Sequence, residues 1–349
     1  MMPKYQKAIV IGRYQIYHKG HEQLTKQALE IADEVLVIVG SSFQSRNIRN
    51  PFKWSERAAM ITATLPESDQ ARLRFLPVRD YYDDTLWNAD VRRQVAECVF
   101  DDERVALVGF KKDDTTYYLD NFPDWSMVEI ESELDIDATA LRSQFFAAES
   151  AGTALANIAS RISIPVREFL NDWSKSPEYT VLKAEYAKID QENQVYAGIP
   201  WDIIATTVDA LVTVNGHVLL GKRKHYPGKG LWAIPGGFLE KRESLLQGAI
   251  RELKEETSLN VTDAILRHCL ERVNVFAHPR RSCRGRVITH AHHFALEKLF
   301  LDVETWPEIN AADDLETVAW VPFAQISAME EDLFEDHFAI LCNFLPICM

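Results

Sequence analysis

Basic residues are in short supply in this 349-residue chain: 38 lysines and arginines stand against 52 aspartates and glutamates, for a formal net charge of −14. Proteins that track phosphate backbones show a basic patch or an alkaline isoelectric point, so the deficit argues against a nucleic-acid partner. Nucleotides stay open, because they need only a few local cations and a metal. Cysteine is also sparse. Cys98, Cys269, Cys283, Cys342 and Cys348 are scattered, odd in number and form no C-x-x-C pair. That argues against zinc ligands and suits a reducing cytoplasm. No apolar run reaches membrane-span length, and no charged-then-apolar leader opens the chain. A cytoplasmic protein with no membrane partner is therefore expected. What remains is ordinary globular usage, 47% hydrophobic and 26% charged, in a chain long enough for two domains with separate cores.

The chemistry is densest in Gly236-Gly237-Phe238-Leu239-Glu240-Lys241-Arg242-Glu243, running on to Arg251-Glu252-Leu253-Lys254-Glu255-Glu256. The glycine pair is expected to turn the chain into a helix. At about 100° per residue, Leu246, Ala249, Ile250 and Leu253 share an apolar stripe. Glu252, Glu255 and Glu256 share the stripe beside it. One face can dock on a core while the next presents three carboxylates. Carboxylates that close repel one another unless a cation sits among them. An oxygen-only set favours a hard ion, Mg2+ first and Mn2+ as its substitute. Arg251 precedes Glu255 by four residues and can hold it in place. Arg-Glu-x-x-Glu-Glu alone is more often a solvated, salt-bridged helix face.

The full spacing says more. Gly237, five residues, Glu243, seven residues, then Arg251-Glu252-Leu253-x-Glu255-Glu256 resembles the Nudix box. The family pattern continues with glycine and an aliphatic residue, where this chain has Ser258 and Leu259. If the family glycine ends the helix left-handed, serine there costs on the order of 1 kcal/mol. The resemblance implies an α+β Nudix fold domain. In it Glu252, Glu255 and Glu256 would hold the metal, and Glu243, Arg251 and Glu255 would form the catalytic set.

Earlier in the chain, Lys7–Ile11 reads as a buried strand and is followed by a helix to about Glu34. Val35–Val39 reads as a second strand. Helix and strand then alternate through Trp54–Leu65, Arg74–Val78, Thr85–Val99 and Val105–Val108. Such alternation predicts a parallel sheet wound on both sides, with ligands at the carboxyl ends of its strands. His18 and His21 sit at the start of the first helix with Gly20 between them. A helix N-terminus attracts phosphate, glycine lets the backbone approach, and two imidazoles add donors.

Gly12-Arg13-Tyr14-Gln15 leading into His18-x-Gly20-His21 resembles the opening motif of the nucleotidyltransferase superfamily, in the form found in NMN adenylyltransferases. Ile136-Asp137-Ala138-Thr139-Ala140-Leu141-Arg142 resembles its second motif, Ile-Ser-x-Thr-x-x-Arg, with Asp137 in place of the serine. Gly40-Ser41, Arg46, Asn50-Pro51-Phe52, Glu56-Arg57, Trp87, Gly109-x-Lys111-Lys112-Asp113 and Tyr117-Tyr118-Leu119 fit the same family. They fit specifically its branch fused to a Nudix hydrolase. The resemblance implies a Rossmann-like doubly wound parallel sheet. Gly12, Arg13, Arg46, Trp87, Gly109, Asp113 and Thr139 would bind substrate. His18, His21 and Arg142 would be the catalytic residues. Arg13, His18, His21, Thr139 and Arg142 would hold the ATP triphosphate, Trp87 would stack on nicotinamide, and Arg46 would lie near the mononucleotide.

Residues 1–175 are read as the adenylyltransferase domain, 176–200 as a linker ending in the polar run Asp190–Gln194, and 201–349 as the Nudix domain. Asn215-Gly216 is a hairpin signal. His278–Arg286 carries four arginines in seven residues, an exposed basic loop or a local anion site. It resembles the segment that meets ADP-ribose in the fused family, which assigns Arg281 and Arg284 to substrate. The family implies ATP and NMN as substrates, NAD as product, and ADP-ribose hydrolysis to AMP and ribose 5-phosphate. The alternative is a non-catalytic Nudix domain that senses ADP-ribose. Whether the chain forms a homo-oligomer is not set by its sequence.

Overall fold

The computed structural model describes residues 4–110, 121–131, 134, 136–297, 299–300 and 306–347. The chain divides into two compact units, Met1–Tyr186 and Ala187–Met349.

The first unit runs β1 Tyr5–Gly12, α1 Lys19–Ile31, β2 Ala32–Val39, α2 Trp54–Ala63, α3 Glu67–Gln70, β3 Leu73–Pro77, α4 Asp84–Ala96, β4 Val105–Gly109 and β5 Ser126–Glu129. Helices α5 Ala138–Ala147, α6 Ala151–Ile158, α7 Ile164–Trp173 and α8 Pro177–Gln194 close it. Among the described residues the strands form one parallel sheet in the order β3-β2-β1-β4-β5. Side chains alternate across a strand, and both faces are buried. Ala8 and Val10 join Val35, Val37 and Val39 in one core. Ile9 and Ile11 join Leu36, Ile38 and Leu107 in the other. This is the doubly wound architecture expected. The chain goes from β1 to β2 on one side and returns to β4 on the other, so the strand order reverses between β1 and β4. Val10 pairs with Val108, which brings the ends of β1 and β4, Gly12 and Gly109, to the same edge of this crevice.

Residues 176–200, expected as a linker with a helical stretch at Tyr179–Ala187, are for the most part helix. α8 carries Tyr179 and Leu182 into the first unit's core beside Phe145 and Trp173. The polar run Asp190–Gln194 extends that helix, with Gln194 Nε2 donating to Asp190 Oδ2 at 2.8 Å. Polar residues four apart support a helix as readily as they fill a loop.

The second unit contains β6 Ile204–Val214, β7 His217–Arg223, β8 Trp232–Ala233, β9 Gly236–Phe238, α9 Leu245–Thr257, α10 Asp263–Cys269, β10 Leu270–Phe276, β11 Arg286–Ala295, β12 Leu315–Pro322, α11 Phe323–Ile326 and α12 His337–Phe344. Its mixed sheet has the order β10-β11-β6-β7-β12, with β8 on β7 and β9 on β6. The β6–β11 pair is parallel and β6–β7 antiparallel. Asn215 and Gly216 take φ of 41° and 76°, the two positive values that a type I′ hairpin turn requires. Helix α9 packs Ala249, Ile250 and Leu253 on one face of the sheet, and α12 packs Phe338, Ile340 and Leu341 on the other.

Cys98, Cys269 and Cys283 are free thiols. Cys342 is disulfide-bonded. No helix among the described residues is long and apolar enough to cross a membrane.

Candidate active sites

In the first unit the end of β1, the loop after it and the start of α1 carry Gly12, Arg13, His18 and His21. His18 occupies the N-cap position of α1 and is buried. Its backbone N–H meets His21 Nδ1 at 3.4 Å, and the two imidazoles stack with centroids 3.7 Å apart. Tyr17 also stacks with His21, at 5.7 Å, and Tyr14 meets it in a T-shaped contact at 5.1 Å. The two histidines are therefore held as a pair. Arg142 on α5 is buried, donates to the backbone carbonyl of Gln15, and reaches Thr139 Oγ1 at 3.1 Å. Gln15 in turn bonds the backbone of Phe52 through both ends of its amide, at 3.0 Å each. The second motif is thus tied directly to the first.

Asp137 is the N-cap of α5. Its carboxylate accepts the N–H groups of Thr139 at 2.8 Å and Ala140 at 3.2 Å. Arg46 forms a two-pronged pair with Glu56, at 2.5 and 2.9 Å, and donates to Pro51 O. Trp87 lies on α4, half-buried, with its ring 6.2 Å from Phe122. Asp113 and the Lys111–Leu119 segment lie outside the described residues.

In the second unit Arg251 is the hub. Its Nε and Nη2 donate to the two oxygens of Glu243 at 3.0 and 2.7 Å, and its Nη1 donates to Glu252 and Glu255 at 2.9 Å each. Nη2 also reaches Phe238 O at 3.3 Å. Glu256 turns away from this hub, and its Oε2 accepts the N–H of Gly236 at 2.9 Å. The three helix glutamates are therefore not presented alike: Glu256 is buried, Glu252 half-buried and Glu255 exposed. Burial first, then the charge of Glu252, pushes the Glu256 carboxyl up to about 8. Burial also raises Glu252, against the pull of Arg251.

The glycine pair does not turn the chain as expected. Gly236 and Gly237 lie in β9, antiparallel to Val208 and Asp209 of β6. A Cβ on Gly236 would sit 2.3 Å from Val208 O, and one on Gly237 would sit 2.6 Å from Glu252 Oε1. Their function is close approach, which lets the carboxylate helix lie against the strand. The helix starts later, at Ser244, whose hydroxyl caps Gln247. Its end does match expectation: Ser258 is left-handed, with φ 47° and ψ 29°.

These geometries agree with what the chain resembles. Residues 204–344 match the NUDIX domain family and residues 9–83 the cytidylyltransferase-like family. The nicotinamide/nicotinic acid mononucleotide adenylyltransferase of Acinetobacter baylyi is 34% identical over 195 residues, 56% of this chain and 100% of that one. A bifunctional NMN adenylyltransferase/ADP ribose pyrophosphatase from Francisella tularensis, solved with AMP and a Mn ion, is 32% identical. It covers 99% of this chain and 100% of its own, with a TM-score of 0.88. The chain belongs to the family of NMN adenylyltransferases fused to a Nudix domain. A nicotinamide-nucleotide adenylyltransferase from Methanosphaerula palustris is 40% identical over 86 residues, about half of that relative's length.

In the basic loop the two arginines expected at substrate have different settings. Arg281, expected to bind substrate, is buried: its Nε and Nη2 donate to the two oxygens of Asp336 at 2.8 Å each. A desolvated arginine needs such a partner, and Asp336 lies too far along the sequence to be foreseen. Burial, opposed by Arg281, pushes the Asp336 carboxyl up to about 6. Arg284 stays half-buried, 5.4 Å over the ring of Phe238 and 3.7 Å from Glu335. That places Arg284 beside Phe238 of the Nudix box, while Arg281 is paired with Asp336.

Metal binding was expected at Glu252, Glu255 and Glu256. Among the described residues no group of three or more acidic, histidine or cysteine side chains is gathered to hold an ion. The reason is local: Arg251 draws Glu252 and Glu255 to itself, while Glu256 faces Gly236. The donor set nevertheless fits a hard divalent ion. It is oxygen only, and two of its carboxyls are raised by burial, a condition that a cation relieves. One residue fits the family pattern but has no role assigned from it. Arg57 is fully buried and donates to the carbonyls of Arg13 and Gly40 at 2.7 and 2.6 Å. Its closest partners are backbone carbonyls, which leave no trace in a residue pattern.

Proposed function

We propose that the first unit makes NAD from NMN and ATP at the crevice between β1 and β4. The mononucleotide phosphate attacks the α-phosphorus of ATP in line, the bond to the β-phosphate oxygen breaks, and pyrophosphate leaves. Such transfers depend on positioning and charge neutralisation, and no general base is needed for a phosphate nucleophile that is already ionised. The observation that carries this reading is the stacked His18–His21 pair at the N-terminus of α1, tied through Gln15 to Arg142 and Thr139. Arg13, Arg46, Trp87 and Gly109 complete the substrate contacts in this reading. Incubation with ATP and either NMN or nicotinate mononucleotide tests it; absence of dinucleotide from both refutes it.

The second unit, in the same reading, hydrolyses ADP-ribose to AMP and ribose 5-phosphate. Glu252, Glu255 and Glu256 would hold a divalent ion, Mg2+ or Mn2+. Such an ion neutralises the diphosphate and activates water. Glu243 and Arg251 order the helix against the β9 strand, and Arg284 offers a cation beside Phe238. The AMP and Mn ion in the Francisella relative support this assignment. Against a purely sensing role stands the intact Glu243–Arg251–Glu252–Glu255 network. Ser258 lies at the opposite end of α9 from the capped start. ADP-ribose binding without AMP formation at saturating Mg2+ would leave only the sensor.

A further inference from the structure

Arg57 and Glu56 are consecutive residues in the first turn of α2, and each holds a different part of the first site. The Arg57 guanidinium is fully buried. Its Nη1 donates to Arg13 O and Gly40 O at 2.7 and 2.6 Å, and its Nη2 to Ser41 O and Ser42 Oγ at 3.1 and 3.4 Å. Those acceptors come from the segments that follow β1 and β2, so one side chain fixes the spacing of two strand ends. Only a planar fork with five N–H groups can serve that many acceptors at once. Burial pulls its pKa down to about 10, with Asp80 and Glu56 opposing.

Glu56 points elsewhere, because adjacent helix residues do not share a face. Its carboxylate takes both prongs of Arg46 and also accepts the N–H of Lys53 at 2.7 Å. We infer that the first turn of α2 positions both substrate halves of the adenylyl-transfer site, with Arg57 positioning the loop that carries Arg13 and Glu56 positioning Arg46. Both are positioning residues. The phosphorus and its attacking oxygen must be held in line, and misplacement by about 1 Å lowers such rates by roughly 100-fold. The inference rests on the reading of Arg13 as an ATP contact and Arg46 as a mononucleotide contact.

The test is steady-state kinetics on the full chain, with KM for ATP and for NMN measured separately, alongside thermal midpoints. Arg57→Lys should raise the ATP KM by about fivefold or more and leave the NMN KM within about twofold. Glu56→Gln should do the reverse by a similar factor, since a neutral amide cannot hold Arg46 in both prongs. Arg57→Met should deepen the ATP defect; if it fails to fold, Arg57→Lys still decides. This division of positioning is overturned if either variant shifts both KM values equally, or if both KM values stay at the wild-type level while only the midpoint falls. Absence of wild-type dinucleotide synthesis is a different outcome, which removes the functional reading itself.

Discussion

The carboxylate of Asp137 accepts the backbone N–H of Thr139 at 2.8 Å. A carboxylate here would repel ATP phosphates if it faced them. As the N-cap of α5 it faces the helix instead, where the dipole favours it. Asp137→Ala should therefore lower stability by about 1 kcal/mol. Asp137→Ser keeps a capping oxygen, so its stability should stay within about 0.5 kcal/mol of wild type, and its ATP KM should not rise. An Asp137→Ser variant with a several-fold higher ATP KM would mean that the carboxylate has a catalytic task not visible in the cap.

Ser258 supplies a second case in which one side chain can be changed in isolation. It closes α9 in the left-handed region, and its N–H donates to Lys254 O at 2.9 Å. Glycine takes that conformation without steric penalty, though its unfolded chain is more flexible. Ser258→Gly should stabilise the second unit by roughly 0.5–1 kcal/mol, read from denaturant midpoints. Hydrolysis should be unchanged or modestly raised, because no ligand is altered. A destabilised Ser258→Gly variant would show that the serine hydroxyl contributes more than the strain removes.

Local patterns in these two units were readable; distant contacts were not. The Arg251–Glu255 pair follows from four-residue spacing on a helix, and the left-handed end at Ser258 from a family position. Strand alternation in Ala8–Ile11 follows from apolar runs. By contrast, Gly236 and Gly237 look like a turn unless one knows that Asp209 and Glu252 lie where a Cβ would go. Arg281 reads as part of an exposed basic loop or an anion site, and its pairing with Asp336, 55 residues away, has no sign in the local pattern. Arg57 binds carbonyls, which every residue has. These are the long-range facts that a one-dimensional pattern omits.

Glu256 separates catalysis from folding. Its Oε2 accepts the Gly236 N–H, and the side chain is buried. Glu256→Gln retains an acceptor for the Gly236 N–H and replaces a carboxyl that burial already favours uncharged, so the fold should be about as stable as wild type. Hydrolysis should fall by about 100-fold or more, since an amide is a poor ligand for a hard cation. NAD formation by the first unit should be untouched. Parallel assays of both activities check this, and retained hydrolysis in Glu256→Gln would remove Glu256 from the metal set.

His337 gives the second unit a pH dependence whose sign can be worked out. Its Nδ1 accepts the Ile234 N–H at 2.9 Å inside the fold. Burial, then the charges of Arg281, Arg223 and Arg284, hold its pKa well below the usual histidine value. The unfolded chain therefore binds a proton near pH 6.5 that the folded chain refuses. Stability from this group is present in full above that pH and is lost as pH falls below it, by at most ~1.4 kcal/mol per pH unit. Asp336 acts in the opposite sense, since its folded pKa of about 6 lies above the unfolded one. Comparing wild type with His337→Asn cancels that contribution, because Asn Oδ1 can still accept from Ile234. Denaturant unfolding at pH 7.5, 6.5 and 5.5 should show wild type losing stability faster than the variant below pH 6.5. Equal slopes would mean that His337 takes up its proton while the unit remains folded.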